Sequence, residues 1–197
     1  TIDILLCEDK RRSLKLLNHL KIKKPLKSYH KFNEHSTVEK VINEIQSGLV
    51  VGLISDAGTP SISDPGYLIV KICIDNNIEV ECLPGPTALI PALAVSGLPS
   101  ERFVFEGFLP VKKGRKTRLE ELSNEKRTMI FYESPYKLYK TLQDLSNSFG
   151  SEREISISKE LTKIFESTSR GRIKDLMPEY ENKKLKGEFV IVVKGLK

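Results

Sequence analysis

The stretch Ser55–Gly66, SDAGTPSISDPG, follows directly on the apolar run Leu49–Ile54, LVVGLI. Small and turn-forming residues fill it, with Pro60 and Pro65 restricting the backbone and Gly58 and Gly66 freeing it. Such a run buries little apolar area and adds little to a core. It is either a plain surface loop or an exposed backbone shaped for a ligand. Its flanks give it a place: a buried strand precedes it, and the apolar segment Tyr67–Asn77, YLIVKICIDNN, reads as a helix after it. The loop is therefore the strand-to-helix junction of an α/β unit.

Working outward, Ser36–Gly48, STVEKVINEIQSG, sets Val38, Val41, Ile42 and Ile45 at helical spacing. A capping-box pattern of Ser36 and Glu39 opens it and Gly48 closes it. Ile78–Leu83, IEVECL, is predicted to be the next strand, which makes a β-α-β unit with a parallel sheet and a right-handed crossover. Thr87–Gly97, TALIPALAVSG, reads as a further helix despite Pro91, and Gly97–Glu101 as a linker. Beyond the linker the pattern restarts. Arg102–Phe108, Arg127–Glu133, Arg153–Leu161 and Glu188–Gly195 read as strands, and Pro135–Gly150 as a helix with Leu138, Leu142, Leu145 and Phe149 on one face. Two α/β domains are expected, residues 1–97 and 98–197.

The bulk composition fits this reading. With 39% apolar and 29% charged residues the chain is typical of soluble globular proteins. No apolar run approaches the roughly 20 residues of a membrane helix, and the opening TIDILLCEDKRR lacks a signal-peptide pattern, so a cytoplasmic location is expected. Cys7, Cys73 and Cys82 show neither CxxC nor Cys/His ligand spacing. They are read as small core residues, and neither a disulfide framework nor a metal site is expected. The 32 Lys and Arg against 26 Asp and Glu suit an anionic partner without requiring one.

Loops that leave parallel strands emerge at the carboxyl edge of the sheet, where open α/β folds place ligands. Ser55–Gly66 is one such loop and Leu83–Thr87, LPGPT, is another. Glycine lets a ligand approach the backbone, and proline limits the entropy lost on binding. Asp56 and Asp64 are suited to accept hydrogen bonds from ribose hydroxyls or an amino group; the plainer reading has Asp64 capping a helix and Asp56 closing an Asx-turn. Neither a Walker A nor a GxGxxG pattern occurs, which disfavours a nucleoside triphosphatase or an ordinary dinucleotide enzyme.

Seven motifs then occur in order: CEDKR (Cys7–Arg11), SDAGTPSISDPG, LPGPTA, GLPSERFVFEGFLP (Gly97–Pro110), FYESP (Phe131–Pro135), KELTKIFE (Lys159–Glu166) and KGEFVIVV (Lys186–Val193). Together they resemble the ribosomal RNA small-subunit methyltransferase I family, in the tetrapyrrole-methylase-like class of S-adenosylmethionine enzymes. The resemblance implies two α/β domains of the tetrapyrrole methylase type with the cofactor cleft between them. It also implies a homodimer that methylates a cytidine 2′-hydroxyl in 16S ribosomal RNA, in the 30S subunit. For the cofactor it implies Ser55, Asp56, Ala57 and Gly58, with Pro84, Gly85, Thr87 and Ala88 as a second wall. Phe131, Tyr132 and Gly187 would supply a third.

There are departures. Family members ordinarily carry a further strand with a PTPIGN-like loop, and a helix, ahead of the segment that opens this sequence. Part of the active-site floor is thus expected outside it. Lys10 stands where the family's EDTR has threonine, and Tyr136 and Lys137 replace histidine and arginine of FYESPHR. The lysine loses bidentate phosphate recognition.

A sulfonium methyl is already electrophilic, so alignment of the acceptor oxygen is the main requirement, and a base helps to remove the ribose proton. Asp9 and Glu133, at strand ends, lead the candidates, followed by Glu8 and Glu160; each leading carboxylate has a structural alternative as partner of Arg11 or Lys159. Arg11, Arg12, Lys113, Arg115 and Lys116 are the candidate RNA phosphate contacts, the last three within the basic stretch Val111–Arg118. Tyr29, His30 and Phe32 are candidates to stack on a flipped base, with a packed loop as the alternative. Two other functions stay open: a tetrapyrrole (precorrin-type) or other small-molecule methyltransferase, and a non-catalytic RNA-binding relative.

Overall fold

The computed structural model describes residues 1–196 and resolves into two compact units, Thr1–Pro86 and Thr87 onward. The division falls ahead of the linker read at Gly97, because the intervening helix packs on the second sheet.

In the first unit β1 (Ile4–Cys7), α1 (Lys10–His19), β2 (Leu26–Ser28), α2 (Glu34–Gln46), β3 (Val51–Ile54) and α3 (Tyr67–Asp75) follow in order. The sheet is parallel, ordered β2-β1-β3, with Leu5 opposite Leu26 and Gly52. Its core joins Ile4 and Leu6 to Val38, Val41 and Ile42 of α2 and Ile69 and Cys73 of α3, which are the apolar positions that helical spacing picks out. Tyr29 is buried in the same core, where burial pushes its hydroxyl up to about 12; it is not a base-stacking residue.

Helix α2 begins earlier than the capping-box reading. Asn33 is its cap residue, and the Asn33 side chain is spent on the preceding turn, accepting from the His30 N–H at 2.8 Å and donating to the Ser28 carbonyl at 3.0 Å. Ser36 lies inside the first turn and donates its hydroxyl to the Asn33 carbonyl. Ile78–Leu83 is not a strand. A strand needs a ladder partner, and this segment has none among the described residues; Val80 and Leu83 are exposed, and so is Cys82, against its reading as a core cysteine.

The second unit runs α4 (Leu89–Ser96), β4 (Phe103–Phe108), α5 (Arg115–Ser123), β5 (Thr128–Glu133), α6 (Leu138–Phe149), β6 (Glu154–Lys159), β7 (Ser167–Arg172), α7 (Ile173–Leu176) and β8 (Phe189–Val193). The sheet order is β4-β5-β8-β6-β7; β4 and β5 are parallel and the other pairs antiparallel. Strand periodicity sorts the core into layers. Met129, Phe131, Ile191 and Val193 pack with α5, α6 and α7, while Ile130, Val190 and Val192 pack with Leu89, Ala92 and Leu93 of α4. Pro91 sits in the first turn of α4, where its missing N–H has no intrahelical partner to lose. Strand β7, STSRGR, has no apolar face for sequence patterning to detect and forms as an edge strand on β6. No helix among the described residues is long and apolar enough to cross a membrane.

Candidate active site

In the first unit the parallel pairing of β1 and β3 brings the residues after their carboxyl ends side by side. The Asp9 N–H donates to Asp56 Oδ1 at 3.2 Å, and Arg12 Nε lies 3.5 Å from Asp56 Oδ2. Asp9 also caps α1. Its carboxylate accepts from the Arg11 N–H at 2.8 Å and from the Arg11 guanidinium at 2.7 Å. Those bonds from Arg11 hold the Asp9 carboxyl at about 2. A carboxylate so stabilised is a weak proton acceptor, so the structural alternative for Asp9 outweighs the catalytic one.

The loop after β3 is held by its own polar groups. Ser55 Oγ lies 3.1 Å from both the Ala57 and the Gly58 carbonyls, and Thr59 Oγ1 donates to the Pro86 carbonyl at 2.9 Å. The last bond ties the two glycine-rich loops together. Gly58 has φ +76°, and a Cβ there would touch nothing nearer than the Pro86 carbonyl at 3.9 Å, so its glycine serves conformation and leaves bare backbone at the surface. Gly66 is different: a Cβ would fall 2.4 Å from Ser61 Oγ. Ser61 and Ser63 also take positive φ, a concentration of backbone strain found where a loop is shaped for function. Pro84 and Gly85 are exposed beside this loop. Thr87 and Ala88 are half-buried and lead into α4 of the second unit.

In the second unit Glu133 ends β5 and is buried. Its carboxylate accepts from the Ser134 N–H at 2.7 Å and from the Thr141 hydroxyl at 2.6 Å. Arg115 in turn donates to Thr141 Oγ1 at 2.8 Å, to Asp144 at 2.8 Å and to the Pro110 carbonyl at 3.0 Å. The Arg115 side chain is only 13% exposed, so it is an internal brace and not a phosphate contact. Two further cations of the same stretch are matched by carboxylates: Lys116 lies 3.7 Å from Glu120, and Arg118 pairs with Glu106 and Glu121. Lys112 and Lys113 remain exposed and unpaired among the described residues.

Phe131 is fully buried on the α5–α6 side of the sheet, so its side chain cannot wall a cofactor. Tyr132 points to the opposite face and meets Phe105 and Phe108 edge-on at 5.0 and 5.7 Å. Glu160 lies across Gly187: a Cβ at Gly187 would come within 2.6 Å of Glu160 Cγ. The Glu160 carboxylate accepts from Lys163 and from the Glu188 N–H, both at 2.9 Å, and the Lys163 bond lowers its pKa. Both residues are thereby accounted for as packing of the β6 and β8 ends. Glu8, by contrast, is half-buried at the end of β1, and its carboxylate has no partner among the described residues.

Arg11 and Arg12, both named as candidate phosphate contacts, open a longer basic segment whose lysines the motifs do not mark. Between Lys10 and Asn33 lie nine of the 32 Lys and Arg and none of the 26 Asp and Glu. The signal in the sequence is the run of cations without an intervening acid.

Residues 1–177 match the family model for Tetrapyrrole (Corrin/Porphyrin) Methylases. Proteins named ribosomal RNA small subunit methyltransferase I are similar over nearly the whole chain. That of Thermotoga maritima is 42% identical across 98% of this chain and 87% of its own length. That of Xylella fastidiosa (Temecula1) is 46% identical across 99% and 72%. Among solved structures, a cobalt precorrin-4 methyltransferase of cobalamin biosynthesis superposes with TM-score 0.66 at 18% identity, covering 98% of this chain and 84% of its own. The uroporphyrin-III C-methyltransferase of Thermus thermophilus complexed with S-adenosyl homocysteine gives TM-score 0.62 at 16% identity, covering 97% and 85%.

Proposed function

The chain belongs to the ribosomal RNA small subunit methyltransferase I family, and on that premise we propose that it methylates 16S ribosomal RNA from S-adenosylmethionine, on the ribose 2′-hydroxyl of a cytidine. The observation that carries the reading is the pair of glycine-rich loops tied by Thr59 to Pro86 beside the Asp9–Asp56 contact. The residues suit the cofactor. Gly58 presents backbone without a Cβ, and the Asp56 carboxylate offers an acceptor for hydroxyl or amino groups.

The bound cofactor supplies an electrophilic methyl group. The chain's own task is to hold the loops in shape and to accept the ribose proton. Arg12 and the Asp9 N–H fix the Asp56 carboxylate, and Ser55 fixes the turn that carries Ala57 and Gly58. Glu8 is our candidate proton acceptor. Of the four carboxylates considered, Asp9, Glu133 and Glu160 are committed to structural bonds and Glu8 is not. The same reading has the enzyme act as a cytoplasmic homodimer on the 30S subunit.

Incubation with methyl-labelled S-adenosylmethionine and small-subunit RNA, followed by nucleoside digestion, tests the reading. Label in 2′-O-methylcytidine is expected. Label in a base, or transfer only to a porphyrinoid substrate, contradicts it. Glu8→Gln is expected to lower the single-turnover rate by about 10²- to 10⁴-fold while leaving cofactor affinity unchanged; full turnover removes Glu8 from this role.

A further inference from the structure

We infer that the face formed by α1, the α1–β2 loop and the start of β2 is the RNA docking surface of the enzyme, distinct from the Lys112–Arg118 stretch. This rests on the functional reading above and goes beyond it by naming where the RNA lies.

The first ground is charge. Residues 10–33 hold nine Lys and Arg without an acidic residue, so the remainder of the chain, with 23 basic against 26 acidic residues, is slightly acidic. The net positive charge of the protein therefore resides in this one segment. The fold does not neutralise it. Arg11, Arg12 and Lys27 meet Asp9, Asp56 and Glu44, but Lys10, Lys15, Lys21, Lys23, Lys24 and Lys31 have no carboxylate partner among the described residues. All six but Lys24 are exposed. Unpaired surface cations held close together repel one another, and a polyanion relieves that repulsion while releasing its own counterions.

The second ground is position. Arg12 touches Asp56 at the carboxyl edge of the sheet, next to the glycine-rich loop. From there α1, ten residues or about 15 Å long, returns toward the start of β2, where Lys21, Lys23 and Lys24 lie. The cations thus form a track that begins at the candidate site and leads away from it, as a strand bound with one nucleotide at the site requires.

The third ground is the surface between the charges. Leu14 and Ile22 are half-exposed, and with Lys23, Lys24 and Pro25 they line a shallow groove beside α1. Apolar floor next to lysine suits a sugar or base face flanked by phosphates.

The test compares two variants of equal net charge. K15Q/K21Q/K23Q/K24Q removes four cations from the track; K40Q/K126Q/K183Q/K184Q removes four exposed lysines from elsewhere. Binding of each to small-subunit ribosomal RNA is measured across a salt series, with S-adenosylmethionine affinity and thermal melting as controls for folding. The track variant is expected to flatten the slope of log affinity against log salt by about 3, at about 0.7–0.9 per lost phosphate contact, and to weaken binding at 150 mM salt by about 10- to 100-fold. The control variant is expected to change the slope by less than about 1. Equal slopes for the two variants overturn the inference, as does loss of binding by the track variant to phosphatidylserine vesicles with RNA binding intact. Failure of the unaltered protein to bind or methylate the RNA instead overturns the functional reading itself.

Discussion

Two basic regions of this chain look alike in sequence and differ in the fold. Val111–Arg118 carries five cations in eight residues, and Lys10–Asn33 carries nine in twenty-four. In the first, Arg115 is largely buried against Asp144, Lys116 faces Glu120, and Arg118 sits between Glu106 and Glu121. Arg115 braces α5 against α6 and Arg118 braces it against β4, while Lys116 pairs within α5 itself. In the second, six lysines lack carboxylate partners among the described residues, and five of them, all but Lys24, are exposed. Where the carboxylates come to lie, and not the density of lysine and arginine, decides which region is free to meet an anion.

The sharpest separation of the two roles is expected from Arg115→Ala. It leaves the mostly buried Asp144 with Lys140 as its one cation and takes a hydrogen bond from the Thr141 hydroxyl beside the buried Glu133, and should cost about 3 kcal/mol in urea denaturation for the charge-assisted bonds lost. The salt slope of RNA binding should stay as it was; a lower slope would place Arg115 on the RNA after all. Thr141→Val removes the hydroxyl that links Glu133 to Arg115 and should cost about 2 kcal/mol, again with no change in slope.

A smaller effect concerns Arg11, which stands between the two classes because it is exposed yet paired with Asp9. The Asp9 carboxyl sits at about 2, below its ordinary 3.8, so the stabilisation it gives α1 is present above the ordinary value and is lost as pH falls through about 2. Acid titration by circular dichroism should therefore show the Asp9→Asn variant losing less helix signal between about 4 and 2 than the parent protein, the remaining loss coming from other paired carboxylates such as Glu125; identical curves would show that the cap contributes nothing. The smallest effect is expected from Lys112→Gln combined with Lys113→Gln, the unpaired cations of the second region, for which RNA affinity should change less than threefold. A larger loss would blur the distinction.

Much of the fold is legible in the sequence because it follows local rules. Helices α2, α3, α4 and α6 and strands β3, β5, β6 and β8 announce themselves by apolar spacing. The elements that sequence reading misses depend on partners. Leu26–Ser28 is too short to show a pattern, Ser167–Arg172 is an edge strand without an apolar face, and Ile78–Leu83 has the composition of a strand but no ladder to join. The candidate site divides the same way. The glycine-rich loops are visible as composition, whereas the commitment of Asp9 to Arg11, of Glu160 to Lys163 and of Arg115 to Asp144 depends on geometry. So does the inward direction of Phe131, since strand alternation fixes two faces without saying which one a helix covers.

The contrast between the two basic regions is tested most directly by lysine footprinting. The protein is acetylated with and without bound small-subunit ribosomal RNA, and the modified residues are read by mass spectrometry. Protection of Lys15, Lys21, Lys23 and Lys24, with Lys112 and Lys113 as reactive as before, is the predicted result; protection of Lys112, Lys113 and Lys116 with the α1 lysines unchanged would contradict it.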